Sequence, residues 1–178
     1  MAILTINVYS PRSGTRFCPF DHLTCPNGSD PIDIMGTGNL VFRATNVKSF
    51  SVYRSLCGGS DCNTELRTLM QINLFGRQNQ ECFIGSVRYL HIKNPIYANG
   101  HAQNYNGESL KIGEVPTGSC STYDGYHSHM ERFRGQLVAP GCNQSLSLNT
   151  LVYRFTWDDS TCSNISSINF NDEEANHE

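Results

Sequence analysis

Charged residues are scarce in this sequence, making up 16% of its 178 residues with a formal charge of −3. No lysine or arginine cluster occurs, so the electrostatic footprint of a nucleic-acid-binding protein is missing. No apolar run approaches the roughly 20 residues of a membrane span. The opening Met1-Ala2-Ile3-Leu4-Thr5-Ile6-Asn7-Val8 lacks the basic front, long apolar stretch and cleavage site of a signal peptide, and reads as a short strand. Helical periodicity is also missing, with no amphipathic pattern longer than two turns. There is no internal repeat and no Gly-x-Ser-x-Gly elbow. Gly58-Gly59 and Gly36-Thr37-Gly38 lack the strand–loop–helix setting of a phosphate cradle.

Cysteine, by contrast, is plentiful. The eight cysteines, at positions 18, 25, 57, 62, 82, 120, 142 and 162, are even in number and spread along the chain. That distribution favours disulfides and an oxidising, extracellular compartment, secreted or virion-associated. A zinc cluster needs paired knuckles, and only Cys57-x4-Cys62 comes near that spacing. Cys18–Cys25 and Cys57–Cys62 are the expected local bridges, although spacing alone leaves the pairing open. Sequons at Asn27-Gly28-Ser29, Asn143-Gln144-Ser145 and Asn164-Ile165-Ser166 agree with that compartment but are also expected by chance in a chain rich in Asn and Ser.

The remaining pattern is short β-prone runs broken by Gly, Pro, Asn and Asp. Expected strands are Leu4–Tyr9, Pro31–Ile34, Leu40–Ala44, Ser49–Ser55, Thr68–Phe75, Phe83–Ile92, Leu110–Val115, His127–Phe133, Gln136–Val138 and Leu151–Trp157. Thr64–Thr68 suits one helical turn, and Ser160–Ser167 reads as a loop. This predicts an all-β fold, a compact antiparallel sandwich or barrel with little helix, in one domain over 1–168 followed by an acidic, flexible tail at 169–178.

One pair of residues carries chemistry. In Gly125-Tyr126-His127-Ser128-His129-Met130-Glu131, the two histidines are two residues apart on an expected strand. Alternate residues share a face, so both imidazoles can converge on one point. By itself the pair is equally a half-exposed polar strand face.

Read together, three segments resemble the lysostaphin/LytM-type zinc endopeptidases, which cut peptide cross-links in bacterial cell walls. Their signatures are His-x-x-x-Asp, Tyr-x-His, and His-x-His with Glu two residues on. Ser29-Asp30-Pro31-Ile32-Asp33-Ile34-Met35-Gly36-Thr37-Gly38 is similar to the first, Arg88-Tyr89-Leu90-His91-Ile92 to the second, and Tyr126–Glu131 to the third. The Gly-rich stretch 107–118 resembles the hairpin that precedes the catalytic pair, and Val138-Ala139-Pro140 the close of the domain. The resemblance spans roughly residues 20–140. It implies a LytM-type β core with one zinc ion, ligated by Asp33 and His129, with His91 and His127 as catalytic histidines and peptide or peptidoglycan as substrate. Catalytic zinc takes three N or O ligands from the protein and leaves a position open for water. Tyr89, Tyr123 and Tyr126 would line the substrate groove, with a core position equally open to Tyr89.

One ligand departs from the pattern: the family's remaining histidine falls at Ser29, a poor zinc ligand. Two explanations stand. His22, held in the loop between Cys18 and Cys25, supplies the missing imidazole, or it is an ordinary loop histidine and the site is silent. A silent domain would act as a binding or structural module in a secreted or virion assembly, with a protein or glycan partner recognised through exposed tyrosines such as Tyr97, Tyr105, Tyr123 and Tyr126. His101 and His177 read as solvent-exposed.

Overall fold

A computed structural model describes residues 3–12, 16–17, 32–58, 60–77, 79–134 and 154–168. The chain is all-β and antiparallel. In order, its strands are β1 (Ile3–Asn7), β2 (Arg16–Phe17), β3 (Ile32–Met35), β4 (Gly38–Phe42), β5 (Ser49–Leu56), β6 (Thr68–Gly76), β7 (Cys82–Leu90), β8 (Ala102–Asn104), β9 (Leu110–Val115), β10 (His127–Arg134), β11 (Arg154–Asp158) and β12 (Ser163–Ile168). The one helix among the described residues, α1 (Thr64–Arg67), is a single turn between β5 and β6. No helix among them is long and apolar enough to cross a membrane.

The main sheet runs β2-β3-β10-β7-β6-β5-β8, with β4-β9 and β1-β11-β12 forming two smaller sheets. Residues directly opposite each other on paired strands share a face, so the register sorts the side chains. Met130 lies opposite Tyr89, Tyr89 opposite Met70, and Ile72 opposite both Val87 and Val52. All six are buried, and with Phe50 and Ile34 they make one face of the main sheet the core. The smaller sheets close over that face with Ile6, Leu40, Phe42 and Ile112, all at most 1% exposed. Phe42 meets Phe50 edge-on at 5.5 Å and Tyr105 at 5.2 Å, adding aromatic contacts to the mainly aliphatic core. The alternate residues of the same strands (Asp33, His129, Glu131, Arg88, Gln71) form a polar row on the other face.

Several expectations change. Cys62 bonds to Cys120, not to Cys57, and Cys82 bonds to Cys162, with Cα–Cα distances of 5.2 and 5.6 Å. A local Cys57–Cys62 bridge is displaced because Cys57 is tied to α1, its amide donating to Arg67 O at 2.8 Å. Cys62 faces instead the loop after β9, where Asp61 Oδ2 accepts from Ser121 N at 3.0 Å. Cys57 is itself disulfide-bonded. The expected Cys18–Cys25 bridge, the Gln136–Val138 strand and the acidic tail lie outside the described residues. Most of the expected 160–167 loop is a strand, β12, whose Ser-rich sequence owes its extension to pairing with β11. Finally, β7 ends at Leu90, and His91 has a positive φ of 67°.

The Cys82–Cys162 bond crosses 80 residues of sequence and staples the main sheet to the β11–β12 hairpin turn. Replacing both cysteines by serine is expected to lower the unfolding free energy by about 2–5 kcal/mol. Guanidinium denaturation under non-reducing conditions measures this, and an unchanged midpoint would contradict it.

Candidate functional site

The register that builds the core also builds a cluster of histidines and acids on the opposite face. His129 on β10 lies directly opposite Asp33 on β3, and His127 opposite Met35. Cross-strand neighbours sit about 4.5–5.5 Å apart at Cβ, close enough for side chains to meet. His129 Nδ1 is 3.0 Å from Asp33 Oδ1, and His127 Nε2 is 3.8 Å from the same oxygen. The other ring nitrogen of His129, Nε2, lies 3.1 Å from Glu131 Oε1, whose second oxygen is 3.3 Å from Arg88 Nη1. Asp33 (2% exposed) and Arg88 (3%) are buried, so these charges act in a poorly solvated setting. Asp33, His129, Glu131 and Arg88 thus alternate in sign along one row.

His91 joins from the end of β7. Its positive φ ends the alternation of the strand, and the ring lies 5.1 Å from that of His127 and 6.2 Å from that of His129. The chain beyond it is held by Lys93, which exchanges hydrogen bonds with Glu114 on β9. Gly113 permits this approach, since a Cβ there would stand 2.4 Å from Ile92 Cγ2. His91 Nδ1 donates to Leu66 O at 2.6 Å. A carbonyl only accepts, so the proton sits on Nδ1 and Nε2 keeps its lone pair. In the same way, His127 Nδ1 donates to Gly125 O at 3.1 Å, leaving Nε2 towards Asp33. Gly125 fits only without a side chain: a Cβ would meet the Pro116 and Gly118 carbonyls at 2.6 Å.

The electrostatics of the histidines diverge. Burial lowers His91 to about 4, an effect the Leu66 hydrogen bond offsets only in part, so its ring is neutral at pH 7. Burial also pulls His129 down, but its hydrogen bonds with Asp33 and Glu131 outweigh this and raise it to about 10. Without a metal, His129 is therefore an imidazolium donating to a carboxylate from each nitrogen.

The structure brings Asp33 and His91, distant in sequence, to the His127–His129 pair. Tyr123 is also present, its ring edge-on to His91 at 5.0 Å. Tyr126 is 53% exposed, with its carbonyl accepting from Gly36 N. Tyr89 is not brought to the cluster. It is 1% exposed in the core, on the sheet face opposite His129, so the groove position expected for it is not where its ring lies. Two residues on, His91 does not follow Tyr89 into the core, because it has left the strand at its positive φ. Tyr105, counted among the exposed tyrosines, is 5% exposed and hydrogen-bonded to Ala44 N. His22 and Ser29 lie outside the described residues. The sequence pointed to Glu131 only as a member of the third signature, and it assigned no role to Arg88 or Leu66. The signal for Arg88 was a charge inside the otherwise apolar Phe83–Ile92 run, whereas a carbonyl such as that of Leu66 leaves no trace in a sequence.

Among the described residues, one group of potential ligands lies with all its atoms within 4.8 Å of one another: Asp61, Cys62 and Cys120. Its two sulfurs are bonded to each other, so it is not a cation site in this oxidised form. A polar hollow of about 560 Å³ between Lys48, Arg77 and Glu81 lies at the far end of β6 and β7 from the histidines. Comparison with protein-family models, curated proteins and solved structures finds no match.

The two perturbed histidines predict opposite limbs in the pH dependence of the metal-free protein. Unfolded histidine titrates near 6.5. Between pH 6.5 and about 4 the unfolded state binds the extra proton at position 91, so stability falls as pH drops through that window. Between pH 6.5 and about 10 the folded state holds the extra proton on His129, so its contribution is complete below 6.5 and lost on the alkaline side. Urea denaturation across pH should show His91→Gln flattening the acid limb and His129→Gln the alkaline one; limbs unchanged by these substitutions would refute the assignment.

Proposed function

We propose that this chain is a zinc-dependent peptide hydrolase of the LytM/lysostaphin kind, with Asp33 and His129 as metal ligands and His91 and His127 as its catalytic histidines. The observation that carries the reading is the 3.0 Å approach of His129 Nδ1 to Asp33 Oδ1, beside two histidines whose tautomers are set by backbone carbonyls. A nitrogen and a carboxylate oxygen at that separation suit adjacent corners of a tetrahedral site, and N/O donors of this kind are what catalytic zinc takes. The hydrogen bond that the far nitrogen of His129, Nε2, donates to Glu131 Oε1 matches the carboxylate–histidine support common behind metal-bound histidines. His22 is the proposed third ligand, in place of the histidine absent at Ser29. The resemblance extends to the β core, read here as LytM-type.

A zinc ion at this position would polarise the scissile carbonyl and bring the pKa of a water to around 7. The residues of the chain do the rest. His91, neutral with its Nε2 lone pair free of the Leu66 hydrogen bond, accepts a hydrogen bond from the attacking water and orients it. His127 Nε2 takes the proton and returns it to the leaving amine. Exposed Met35, opposite His127, and exposed Tyr126 border the cluster, where an extended peptide would lie. The disulfides agree with an oxidising setting, and the reading places the protein outside the cell, secreted or virion-associated.

A second reading is an inactive domain that binds a protein or glycan partner. The alternating row from Asp33 to Arg88 favours it, because a protonated His129 satisfies both carboxylates without a metal.

Metal content separates the two. After zinc loading and desalting, about one zinc per chain is expected, lost in Asp33→Ala and His129→Ala. His127→Ala should keep the metal and slow release of new amino groups from cell walls or glycine-rich peptides by roughly 10²–10⁴-fold. A chain that holds no zinc after loading would sink the hydrolase reading and leave the inactive module. Zinc retained in His22→Ala would remove His22 from the ligand set.

A further inference from the structure

His91 is held from two sides by segments that the sequence places far apart. On one side, Leu66 O accepts its Nδ1 proton at 2.6 Å. On the other, the Tyr123 ring meets it edge-on at 5.0 Å. Leu66 belongs to α1, four residues after Cys62, and Tyr123 comes three residues after Cys120. Those two cysteines are bonded to each other.

We infer that the Cys62–Cys120 disulfide is a positioning clamp for His91, joining at its base the two jaws that set the tautomer and the orientation of the ring. Each jaw is short and locally braced. The Tyr123 jaw is a tight turn: Cys120 N donates to Tyr123 O at 2.8 Å and Tyr123 N to Cys120 Sγ at 3.3 Å. The Leu66 jaw is one helical turn, with Leu66 N donating to Asn63 O at 3.1 Å and Thr68 Oγ1 to Thr64 O at 2.8 Å. A second link runs beside the sulfurs, from Ser121 N to Asp61 Oδ2 at 3.0 Å. A four-residue helix cannot sustain itself in water, and the turn is equally short. Covalent closure of the 58-residue separation restricts both jaws to one arrangement. The clamp leaves His91 Nε2 as the ring nitrogen available to the histidine cluster.

The consequence for catalysis rests on the function proposed above; the effect on the ring does not. Loss of the clamp would let the Nδ1–Leu66 hydrogen bond exchange with water, and His91 would sample its other tautomer. A displacement of about 1 Å in such a group costs on the order of 100-fold in rate.

The test is the imidazole nitrogen and proton spectrum of His91 in the intact chain. In wild type, a sharp downfield Nδ1 proton bonded to Leu66 O is expected. In the Cys62→Ser, Cys120→Ser pair, or in the packing-matched Cys62→Ala, Cys120→Val pair, that proton should exchange about tenfold faster or vanish. The His129 signals should stay in place. The Cys82→Ser, Cys162→Ser pair serves as the control: it removes a disulfide from the far end of β7, and a purely structural role would give it the same spectrum. Tyr123→Ala, which keeps the disulfide, should speed the exchange as well. An unchanged His91 spectrum in the Cys62/Cys120 variants, or an equal change in the Cys82/Cys162 control, would overturn the clamp whether or not the protein binds zinc. If the chain hydrolyses peptides, the same variants should lose kcat with KM held; a loss confined to KM would also count against positioning.

Discussion

Strand β10 is hydrogen-bonded along both edges, to β3 on one side and to β7 on the other, and the rest of the molecule depends on that double pairing. A strand alternates its side chains between two faces, and a register fixed on both edges cannot slip without exchanging those faces. In β10 the alternation separates two jobs. Ser128 and Met130 face the core with Ile34 and Tyr89, whereas His127, His129 and Glu131 face the other way with Asp33 and Arg88. Burial of Met130, Tyr89, Met70 and their neighbours stabilises the register, and the register puts His129 opposite Asp33. Core and site are consequences of one pairing.

The polar face carries an energetic tension that the apolar face does not. Charges as buried as Asp33 and Arg88 are costly to desolvate and are tolerated when each meets a partner of opposite sign. In the row from Asp33 through His129 and Glu131 to Arg88, a protonated His129 supplies the positive charge between the two carboxylates. A metal ligand has to give up that proton. On the zinc reading proposed above, the raised basicity of His129 would couple proton release to metal capture and make binding pH-dependent. His91 is tuned the other way by burial and stays neutral. Two imidazoles a short distance apart thus differ in charge, because one is buried against a carbonyl and the other faces two carboxylates.

Much of the fold was legible in the sequence because alternation of apolar and polar residues is a local signal. Thr68–Phe75 and Leu110–Val115 read as strands and are strands, and the one-turn helix near Thr64 was visible in its composition. What escaped was whatever a neighbour imposed. β12 is made of three serines, one asparagine and two isoleucines that become a strand by pairing with β11, and β8 is three residues annealed to the edge of β5. Disulfide pairing escaped for the same reason. Cys57 and Cys62 are close in sequence, but the turn between them directs Cys62 to the loop that carries Cys120.

By itself the sequence determined the all-β character of the chain and the residues with the chemistry to form a site, since residue type and alternation are properties of short segments. It placed Asp33, His91, His127 and His129 on a list; it did not place them in space. Tertiary structure decided that Asp33 and His129 would face each other across two strands, and that Tyr89 would belong to the core. It also decided that His91 would leave its strand at a positive φ and be gripped between Leu66 and Tyr123. Those outcomes turn on strand register, a backbone carbonyl and a disulfide between distant segments, and none of these is encoded within the reach of a local pattern.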